Sequence, residues 1–412
     1  MKKNKEEKKL PIVAKRPNWF AYRIVIPLGS IVARILFKFK SVKTPEAKAF
    51  LKSKKPFLVV SPHMSKLDVG FVLLGLKPAR INVVTGRDLF SWGVLKPFRE
   101  MFSAIPMSQF ALDLASIRIL NQAVKDGLSI YLCPEGKITL DGTQMHYLPP
   151  ATAKLVKMIG LPVLLAVNNG AYSALPKWGG IKHGKVTQQV SVMITEEEIK
   201  TLKPTEIYER LKAGFVTDQN EYQIQNQVVF KNKKPAKGLH HVLFKCPKCG
   251  EEYENYSTET ELICASCGNA VKYLKTGELV AKGDSISPGT ISKWYAFERA
   301  SIKAELLADP EFVESHPVIW EINKTGEYVE TGEGELIITR DALTFKGKDY
   351  YGVNAEIVVP IAKTHTIVEK MKEGIDITLE GDVVNRFYFR DQKFAVRYLL
   401  IVEEAFKLLQ NI

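Results

Sequence analysis

The sequence predicts an α/β domain with a mixed, largely parallel sheet, followed by a small cysteine-rich ribbon and a β-rich domain that ends in a helix. Strand-like and helix-like runs alternate from about residue 47 to 195, two Cys-x-x-Cys pairs follow, and short strand-like runs then lead into an amphipathic stretch. We therefore expect four units: a basic arm with an amphipathic helix, the α/β domain, the ribbon and the β-rich domain, over residues 1–45, 46–230, 240–283 and 285–412.

The alternating region contains four strand-like runs and three helix-like runs. The strands are expected at 57–60, 81–85, 129–133 and 162–167, and the helices at 68–76, 112–125 and 152–158. In a largely parallel sheet the ligand crevice lies at the carboxyl ends of the strands. His63 and Glu135 each follow a strand, so they are expected to face one pocket although 72 positions separate them.

The first polar pair comes directly after the first strand. Ser61-Pro62 ends the strand, His63 follows, and Asp68 opens an apolar segment as an expected helix N-cap. Residues five apart on a regular helix point about 140° away from each other, so the two side chains meet only if the residues between them form an irregular turn. An imidazole whose other nitrogen is held by a carboxylate can take a proton from a hydroxyl group. The spacing alone is also compatible with a loop histidine and a plain helix cap.

A second motif, Pro134-Glu135-Gly136, ends the strand expected at 129–133. Glycine has no side chain, so the backbone here can approach a phosphate closely. A simple turn would have the same sequence. Cys133 lies on the strand before this motif and is predicted to be a core residue.

These residues, together with Ser103-Ala104-Ile105-Pro106-Met107 and the apolar run at 160–165, resemble the glycerolipid acyltransferase family, the lysophosphatidic acid acyltransferases. The order and spacing of the four motifs agree over about residues 45–200. The resemblance implies that His63, oriented by Asp68, takes the proton from an acceptor hydroxyl as it attacks an acyl thioester, either acyl-CoA or acyl-ACP. It also implies a lysophospholipid acceptor, above all 1-acyl-glycerol-3-phosphate, and a substrate-binding role for Pro134, Glu135, Gly136 and Lys137.

Two positions depart from the pattern of that family. Gln109 and Ile138 stand where the family usually has arginines that hold the phosphate of the acceptor. Neither residue reproduces the bidentate grip of an arginine, and Lys137, Lys66 or Arg87 could supply the charge instead. An acyltransferase fold that has lost activity and serves as a lipid-binding scaffold is therefore an alternative.

Charge and hydropathy together predict a membrane surface as a partner. The net charge is +13, but residues 285–412 carry −6, which leaves +19 on residues 1–284 and predicts an anionic partner for that part. Residues 1–17 are expected to form a mobile basic arm. The next stretch, 19–40, has a longest uncharged run of ten residues (24–33), too short for the ~20 that span a bilayer. On a helical wheel its apolar side consists of Phe20, Ile24, Leu28, Ile31 and Ile35.

This helix is predicted to lie in the lipid interface, with basic residues on its flank. The alternative is a helix that packs this apolar side on its own domain. In the first case, the protein is expected to bind anionic lipid peripherally at the cytoplasmic face of the membrane. The cysteine pattern also indicates a reducing compartment.

The cysteine-rich ribbon contains Cys246, Cys249, Cys264 and Cys267, with fourteen residues between the two pairs. Four thiolates in this arrangement predict one tetrahedral, structural Zn²⁺. A redox pair would need only one Cys-x-x-Cys in a thioredoxin-like context. A nucleic-acid-binding zinc ribbon is the other rival function, but such a protein needs neither His63-x4-Asp68 nor Pro-Glu-Gly, so nucleic acid is not the expected partner.

The last domain is predicted to consist of short strands followed by a helix over 394–409. This order is similar to that of pleckstrin-homology-like or GRAM-type domains. The acidic charge of residues 285–412 argues against a strong site for anionic lipid there. A docking or regulatory role and a purely stabilising role both remain open.

Overall fold

The fold was analysed in a computed structural model of the chain. It describes residues 13–87, 96–110, 113–324, 327–379, 383–391 and 393–412. The first twelve residues of the expected basic arm lie outside this range.

A seven-stranded sheet forms the centre of the α/β domain, in the order β1-β7-β6-β2-β5-β3-β4. All neighbouring strands run parallel except β6 and β7, which confirms the mixed, largely parallel sheet. The prediction missed β1, β4 and β7. The strands are β1 (Lys40–Lys43), β2 (Leu58–Val60), β3 (Ile81–Gly86), β4 (Ile105–Met107), β5 (Ser129–Leu132), β6 (Val163–Asn169) and β7 (Thr187–Ile194).

Both faces of this sheet are buried, because apolar side chains alternate along its central strands. In β2, Leu58 and Val60 belong to one apolar cluster and Val59 to the opposite one. The helices of the domain are α1 (Ile26–Phe37), α2 (Pro45–Lys52), α3 (Asp68–Gly75), α4 (Lys96–Met101), α5 (Leu114–Lys125), α6 (Ala151–Ile159), α7 (Ala171–Ala174), α8 (Glu198–Thr201), α9 (Pro204–Phe215) and α10 (Gln219–Gln225).

The N-terminal helix packs with the side opposite to its predicted apolar side. It starts with a π-helical turn (Ala21–Val25) and continues as α1, and its buried residues include Ala21, Ala33 and Phe37. The five apolar residues of the helical wheel are all exposed, together with Trp19 and Val32. No helix in the described part of the chain is both long and apolar enough to cross a bilayer.

The end of the basic arm is held on the α/β domain, which corrects the expectation of a mobile arm for residues 13–17. The backbone N–H of Ala14 donates to Gln122 (2.8 Å), and Asn82 donates to the carbonyl of Lys15 (2.7 Å). Arg80 donates to the carbonyl of Pro17, and both Ala14 and Pro17 are buried. These contacts fix the chain directly before the N-terminal helix.

The sequence of residues 231–238 (KNKKPAKG) predicts an exposed basic linker, but in the structure only its lysines are exposed. Pro235, Ala236 and Gly238 are buried, and the backbone of Lys231 exchanges hydrogen bonds with that of His183. Gly238 has a φ of 94°, and a Cβ at this position would lie 2.2 Å from the carbonyl oxygen of Trp178. The segment is therefore packed against the α/β domain on its way to the ribbon.

The ribbon is a four-stranded antiparallel sheet in the order β11-β10-β9-β8. Its strands are β8 (Asn255–Ser257), β9 (Glu261–Cys264), β10 (Ala270–Tyr273) and β11 (Leu279–Ala281). It packs on the long helix α11 (Ile291–Ala308), where Trp294 donates to the carbonyl of Lys245 (2.9 Å) and Glu298 accepts from the backbone N–H of Lys245 (2.8 Å). The first cysteine pair is thus anchored by the helix that leads into the last domain.

The last domain contains a seven-stranded antiparallel sheet in the order β15-β14-β13-β12-β18-β17-β16, and a terminal helix α12 (Ala395–Gln410). This confirms a β-rich domain closed by a helix. Arg397 of α12 pairs with Glu252 of the ribbon, Glu305 of α11 and Glu314 of β12. The strands are β12 (Val313–Lys324), β13 (Glu327–Thr339), β14 (Ala342–Asp349), β15 (Asn354–Pro360), β16 (Val368–Lys370), β17 (Gly374–Thr378) and β18 (Val384–Phe389).

A buried lysine lies where the α/β domain meets the ribbon. The side chain of Lys182 is only 2% exposed, and its ammonium nitrogen has no hydrogen-bond partner among the residues that the structure describes. It lies 4.3 Å from the ring centroid of Trp178 and 5.3 Å from that of Tyr273. Burial lowers the pKa of Lys182 to about 7, because a buried ammonium group loses its hydration.

Replacing Lys182 with methionine is therefore expected to stabilise the protein, by roughly 2–4 kcal/mol at pH 8. Between about pH 7 and 10.4 the unfolded chain binds the proton that the folded chain lacks, so the stability of the native protein rises with pH in that window. The Met variant should lose this rise. Urea unfolding at several pH values tests the prediction, with the exposed Lys185→Met as the matched control. Equal stability of the two variants would contradict it.

Candidate active site

His63 and Asp68 meet in an irregular turn at the carboxyl end of the central strand β2. The Nδ1 atom of His63 lies 3.1 Å from Oδ2 of Asp68. The same oxygen accepts from the backbone N–H groups of Met64 and Ser65, both at 2.7 Å. Because a carboxylate only accepts, Nδ1 carries the proton and Nε2 is left as the basic nitrogen.

The second oxygen of Asp68 is held by a side chain of β6, the strand next to β2. Asn168 of β6 donates to Oδ1 of Asp68 (3.0 Å), and Gln188 of β7 donates to the side-chain oxygen of Asn168 (3.0 Å). All three side chains are buried. This chain of hydrogen bonds fixes the carboxylate that orients His63.

Asp68 was predicted to be the N-cap of α3, but it is the first residue of that helix. Its carboxylate turns back to the amides that precede it, so it closes the loop of His63 instead of capping the helix. The prediction was wrong because both arrangements have the same sequence: an aspartate at the start of an apolar helix.

Glu135 connects the two sequence motifs. Its carboxylate accepts from the backbone N–H of His63 (2.6 Å) and from that of Met145 (2.7 Å), and its side chain is buried. The N–H of Thr139 also donates to the carbonyl of His63 (2.9 Å). The loop after β5 is therefore tied directly to the turn of His63, as the parallel pairing of β2 with β5 allows.

The other residues of this motif lie around the same loop. Gly136 follows Pro134 and Glu135 with a φ of 69°, and a Cβ at this position would lie 2.9 Å from the ring of Phe110. Gln109 donates to the carbonyl of Gly136. Lys137 is directed away from solvent, and its ammonium group pairs with Glu403 of α12 at 2.6 Å.

Charge and burial act in opposite directions on the titratable groups. Burial lowers the pKa of His63, but Cys133 and the carboxylate of Asp68 outweigh it and hold this pKa well above its ordinary value. Burial raises the pKa of Glu135, although the two backbone N–H groups counteract it. The site thus combines an imidazole with raised proton affinity and a carboxyl group that is buried against the turn.

Cys133 was predicted to be a core residue, but its thiol belongs to the site. It is half-buried and hydrogen-bonds to His63, and its sulfur lies 2.9 Å from the hydroxyl of Tyr131. That hydroxyl in turn lies 2.9 Å from the Ser61 hydroxyl. Sequence reasoning missed this contact, although one signal existed: Cys133 precedes Pro-Glu-Gly directly, on a strand parallel to the one that carries His63.

A thiol-directed reagent such as a maleimide is therefore expected to block most of any reaction that uses His63, because a group attached to Cys133 would lie against this residue. The Cys133→Ala variant should keep most of its own activity under the same treatment. Residual activity is measured against time, and release of metal from the ribbon cysteines is followed in parallel as a control. Equal inactivation of both proteins without metal release would contradict the prediction.

The four ribbon cysteines form a site that fits a tetrahedral metal ion. Their sulfur atoms all lie within 4.8 Å of one another, with Cys246 to Cys267 at 3.7 Å and Cys249 to Cys264 at 3.8 Å. Zn–S bonds of about 2.3 Å at tetrahedral angles require S···S distances of about 3.8 Å, whereas a disulfide needs about 2.05 Å. The geometry suits a closed four-thiolate zinc site, whose role would be structural.

A family model and a solved structure are similar to part of the chain. A family model described as acyltransferase matches residues 43–165, which include His63, Asp68, Cys133 and the Pro-Glu-Gly motif. Among solved structures, the chain is similar to the 1-acyl-sn-glycerophosphate (LPA) acyltransferase PlsC from Thermotoga maritima, with 19% identity and a TM-score of 0.37. That similarity covers 48% of this chain and 78% of the other. No curated protein sequence matches the chain. The matched range carries both motifs in one site, so residues 43–165 form an acyltransferase domain.

Proposed function

We propose that this protein transfers a fatty acyl group from an acyl thioester, acyl-CoA or acyl-ACP, to the free hydroxyl of a lysophospholipid, with 1-acyl-glycerol-3-phosphate as the first candidate. The observation that carries the proposal is the His63–Asp68 pair, held at 3.1 Å by a carboxylate that accepts three further hydrogen bonds. Such a pair has the chemistry to activate a hydroxyl group and needs no metal for this step.

In the proposed reaction, Nε2 of His63 takes the proton of the acceptor hydroxyl while its oxygen attacks the thioester carbonyl carbon. The carbon–sulfur bond then breaks, and the thiolate of the donor leaves with the proton. Asp68 holds the imidazole in the required tautomer and stabilises the imidazolium that forms. Positioned general-base action of this kind contributes about 10²–10⁴ in rate.

We further propose that the protein works at a membrane surface, bound through its N-terminal helix. Phe20, Ile24, Leu28, Ile31 and Ile35 face solvent instead of the protein core. An exposed apolar stripe with arginines nearby favours binding to an anionic lipid interface, where the side chains leave water. A helix packed through this stripe onto its own domain, the alternative from sequence, would have buried these five residues.

The direct test measures acyl transfer from acyl-CoA and from acyl-ACP to a panel of lysolipids. The native chain is compared with His63→Ala and with His183→Ala, a matched control at an exposed histidine. We expect the first variant to lose most of the rate and the second to retain it. If the native chain acylates no acceptor with either donor, the lipid-binding scaffold is the better description.

Binding to the membrane is tested separately by flotation with liposomes that contain anionic lipid. The Ile31→Glu, Ile35→Glu double variant places two charges on the exposed stripe and should stay with the soluble fraction, because charged side chains are costly to bury in lipid. A variant with the same two substitutions to glutamate at Val216 and Val280, exposed apolar positions outside the N-terminal helix, is the control. Equal flotation of both variants would contradict the role of the helix.

A further inference from the structure

The loop that carries Pro-Glu-Gly is long and irregular. It covers residues 133–150, between β5 and α6, and forms neither a helix nor a strand of the sheet. Such a loop takes its conformation from side-chain contacts, because it has no regular backbone hydrogen bonds of its own. Glu135 of the loop binds the backbone N–H of His63, and the N–H of Thr139 donates to the carbonyl of His63. The groups that hold this loop therefore also hold the turn of His63.

The second half of the loop is held by the α/β domain itself. Tyr172 of α7 donates to the carbonyl of Leu140 (2.9 Å), and Asn220 of α10 donates to that of Asp141 (2.7 Å). Both donors are buried. This part of the loop is thus fixed within the domain to which it belongs.

The first half of the loop is held by the C-terminal domain. Lys137 comes two residues after Glu135, and its ammonium group lies 2.6 Å from the hydroxyl of Thr366 and 2.6 Å from the carboxylate of Glu403. Only 10% of the lysine side chain is exposed. From the α/β domain, Gln109 donates to the backbone of this segment. The ion pair with α12 is thus the charged anchor of the segment directly after Glu135.

Both oxygens of the Glu403 carboxylate take part in this anchor. One oxygen accepts from Lys137 and from the hydroxyl of Thr366, and the other accepts from Arg299 of α11, all at 2.6 Å. Glu403 and Arg299 are both buried, and Arg299 also pairs with Glu404. A buried network in which every member has its partners is rigid, so it gives the ammonium group of Lys137 one defined position.

An aromatic contact continues the docking of α12 along the loop. Tyr147, near the end of the loop, makes an edge-to-face contact with Phe406 of α12 at 5.0 Å. Glu403 and Phe406 are three positions apart on this helix, so they lie on the same face. One face of α12 therefore contacts the loop near its beginning and near its end.

We propose that Glu403 is a positioning residue of the active site, which holds the loop through Lys137 in the conformation that lets Glu135 bind the turn of His63. The C-terminal domain is then part of the catalytic unit, because one of its helices fixes the loop beside the base. The inference rests on the proposed function, since an effect on the rate requires that His63 acts as this base. A displacement of about 1 Å caused by a change far from the chemistry can lower a rate about 10²-fold.

The test compares Glu403→Met with Glu314→Met in the full chain. Each glutamate pairs with a buried arginine, Arg299 or Arg397, and each arginine keeps another carboxylate partner after the substitution. We expect Glu403→Met to lower kcat for acyl transfer about 10–100-fold with little change in KM, and Glu314→Met to leave kcat unchanged. A changed KM at an unchanged kcat would mean that Glu403 competes with a substrate for Lys137, and would overturn the proposal.

A double-mutant cycle shows whether Glu403 acts through Lys137. Lys137→Met should lower kcat as Glu403→Met does, and the double variant should lower it no further, because the same anchor is lost in all three proteins. A role that is only structural, exerted through Arg299, would lower kcat by the same factor with and without Lys137. Because Lys137→Met leaves Glu403 paired with Arg299, this variant tests the anchor even if Glu403→Met does not fold.

Hydrogen exchange tests the positioning without turnover. In Glu403→Met and Lys137→Met, the backbone amides of His63 and Thr139 should exchange about tenfold faster or more, because their hydrogen bonds depend on the loop. The amide of Ile130 in the central strand β5 should keep its rate. Equally faster exchange at all three amides would indicate a general loss of stability and contradict the proposal.

The two assays separate this proposal from the proposed function. If exchange at His63 rises in Glu403→Met but the native chain transfers no acyl group, the proposed function fails and the hold of Glu403 on the loop stands. If transfer occurs and Glu403→Met behaves like Glu314→Met in either assay, only this proposal is overturned.

Discussion

Replacing Asp68 with asparagine is expected to lower kcat by about 10²–10⁴-fold with little change in KM. Asp68 supplies the negative charge that stabilises the imidazolium of His63, and it organises the turn through the amides of Met64 and Ser65. An asparagine can keep the accepting oxygen on these amides. Its NH₂ group then faces the NH₂ group of Asn168, which now donates to Asp68. The fold should therefore survive at moderate cost, while His63 keeps a hydrogen-bond acceptor but loses the negative charge beside its imidazole.

The pH profile provides a second readout for the same variant. In the proposed reaction His63 has to be neutral to act as the base, so the rate should fall as the pH decreases through the pKa of His63. This pKa is held well above its ordinary value of about 6.5, partly by Asp68, and in Asp68→Asn the acid limb of the profile should move to lower pH. Asp218→Asn is the matched control, because Asp218 also accepts from two backbone amides but caps α10. An unshifted profile with a normal rate would contradict the role of Asp68.

A large loss of stability is expected when metal is removed from the ribbon. The native chain should bind one zinc ion per molecule, and chelation or Cys264→Ser should destabilise the ribbon and the domain contacts that depend on it by about 5 kcal/mol or more. Four thiols without a metal ion cannot hold the two turns together. The ribbon also anchors α11 through Lys245 and α12 through the ion pair of Glu252 with Arg397.

The fifth cysteine gives a matched control for this experiment. Cys133→Ser changes the same atom outside the ribbon and should keep the full zinc content, measured by elemental analysis, and a melting temperature close to that of the native chain. Loss of zinc from Cys133→Ser, or an unchanged melting temperature after complete chelation, would contradict the assignment.

Much of the candidate site could be predicted from local sequence. His63 and Asp68 are five residues apart, and each motif follows a strand, so parallel pairing brings both to one edge of the sheet. The zinc-ribbon cysteines are likewise visible from their spacing. The hydrogen bond from the backbone N–H of His63 to Glu135, which connects the two motifs, could not be predicted because it depends on the conformation of both loops.

The motifs could not predict contacts between residues that are far apart in the sequence. No spacing rule relates Lys137 to Glu403 or Lys177 to Glu369, and both pairs require the C-terminal domain to dock on the active-site side. The strands β1 and β7, which lie next to each other at one end of the sheet, were missed for another reason. Their residues are only partly apolar, so they lack the continuous apolar run that is typical of a central parallel strand.

The N-terminal helix and the helix that begins with Asp68 are packed against each other. Gly29 of α1 faces Leu74 of α3, where a Cβ would lie 3.4 Å from the leucine side chain. The rings of Phe37 and Phe71 make an edge-to-face contact at 5.5 Å. If α1 lies in the lipid interface, the depth and tilt of the catalytic pair relative to the bilayer are set by this rigid packing. A lysolipid in the same leaflet would then reach His63 without leaving the bilayer. Added vesicles would not raise the rate at which a water-soluble short-chain acceptor is acylated.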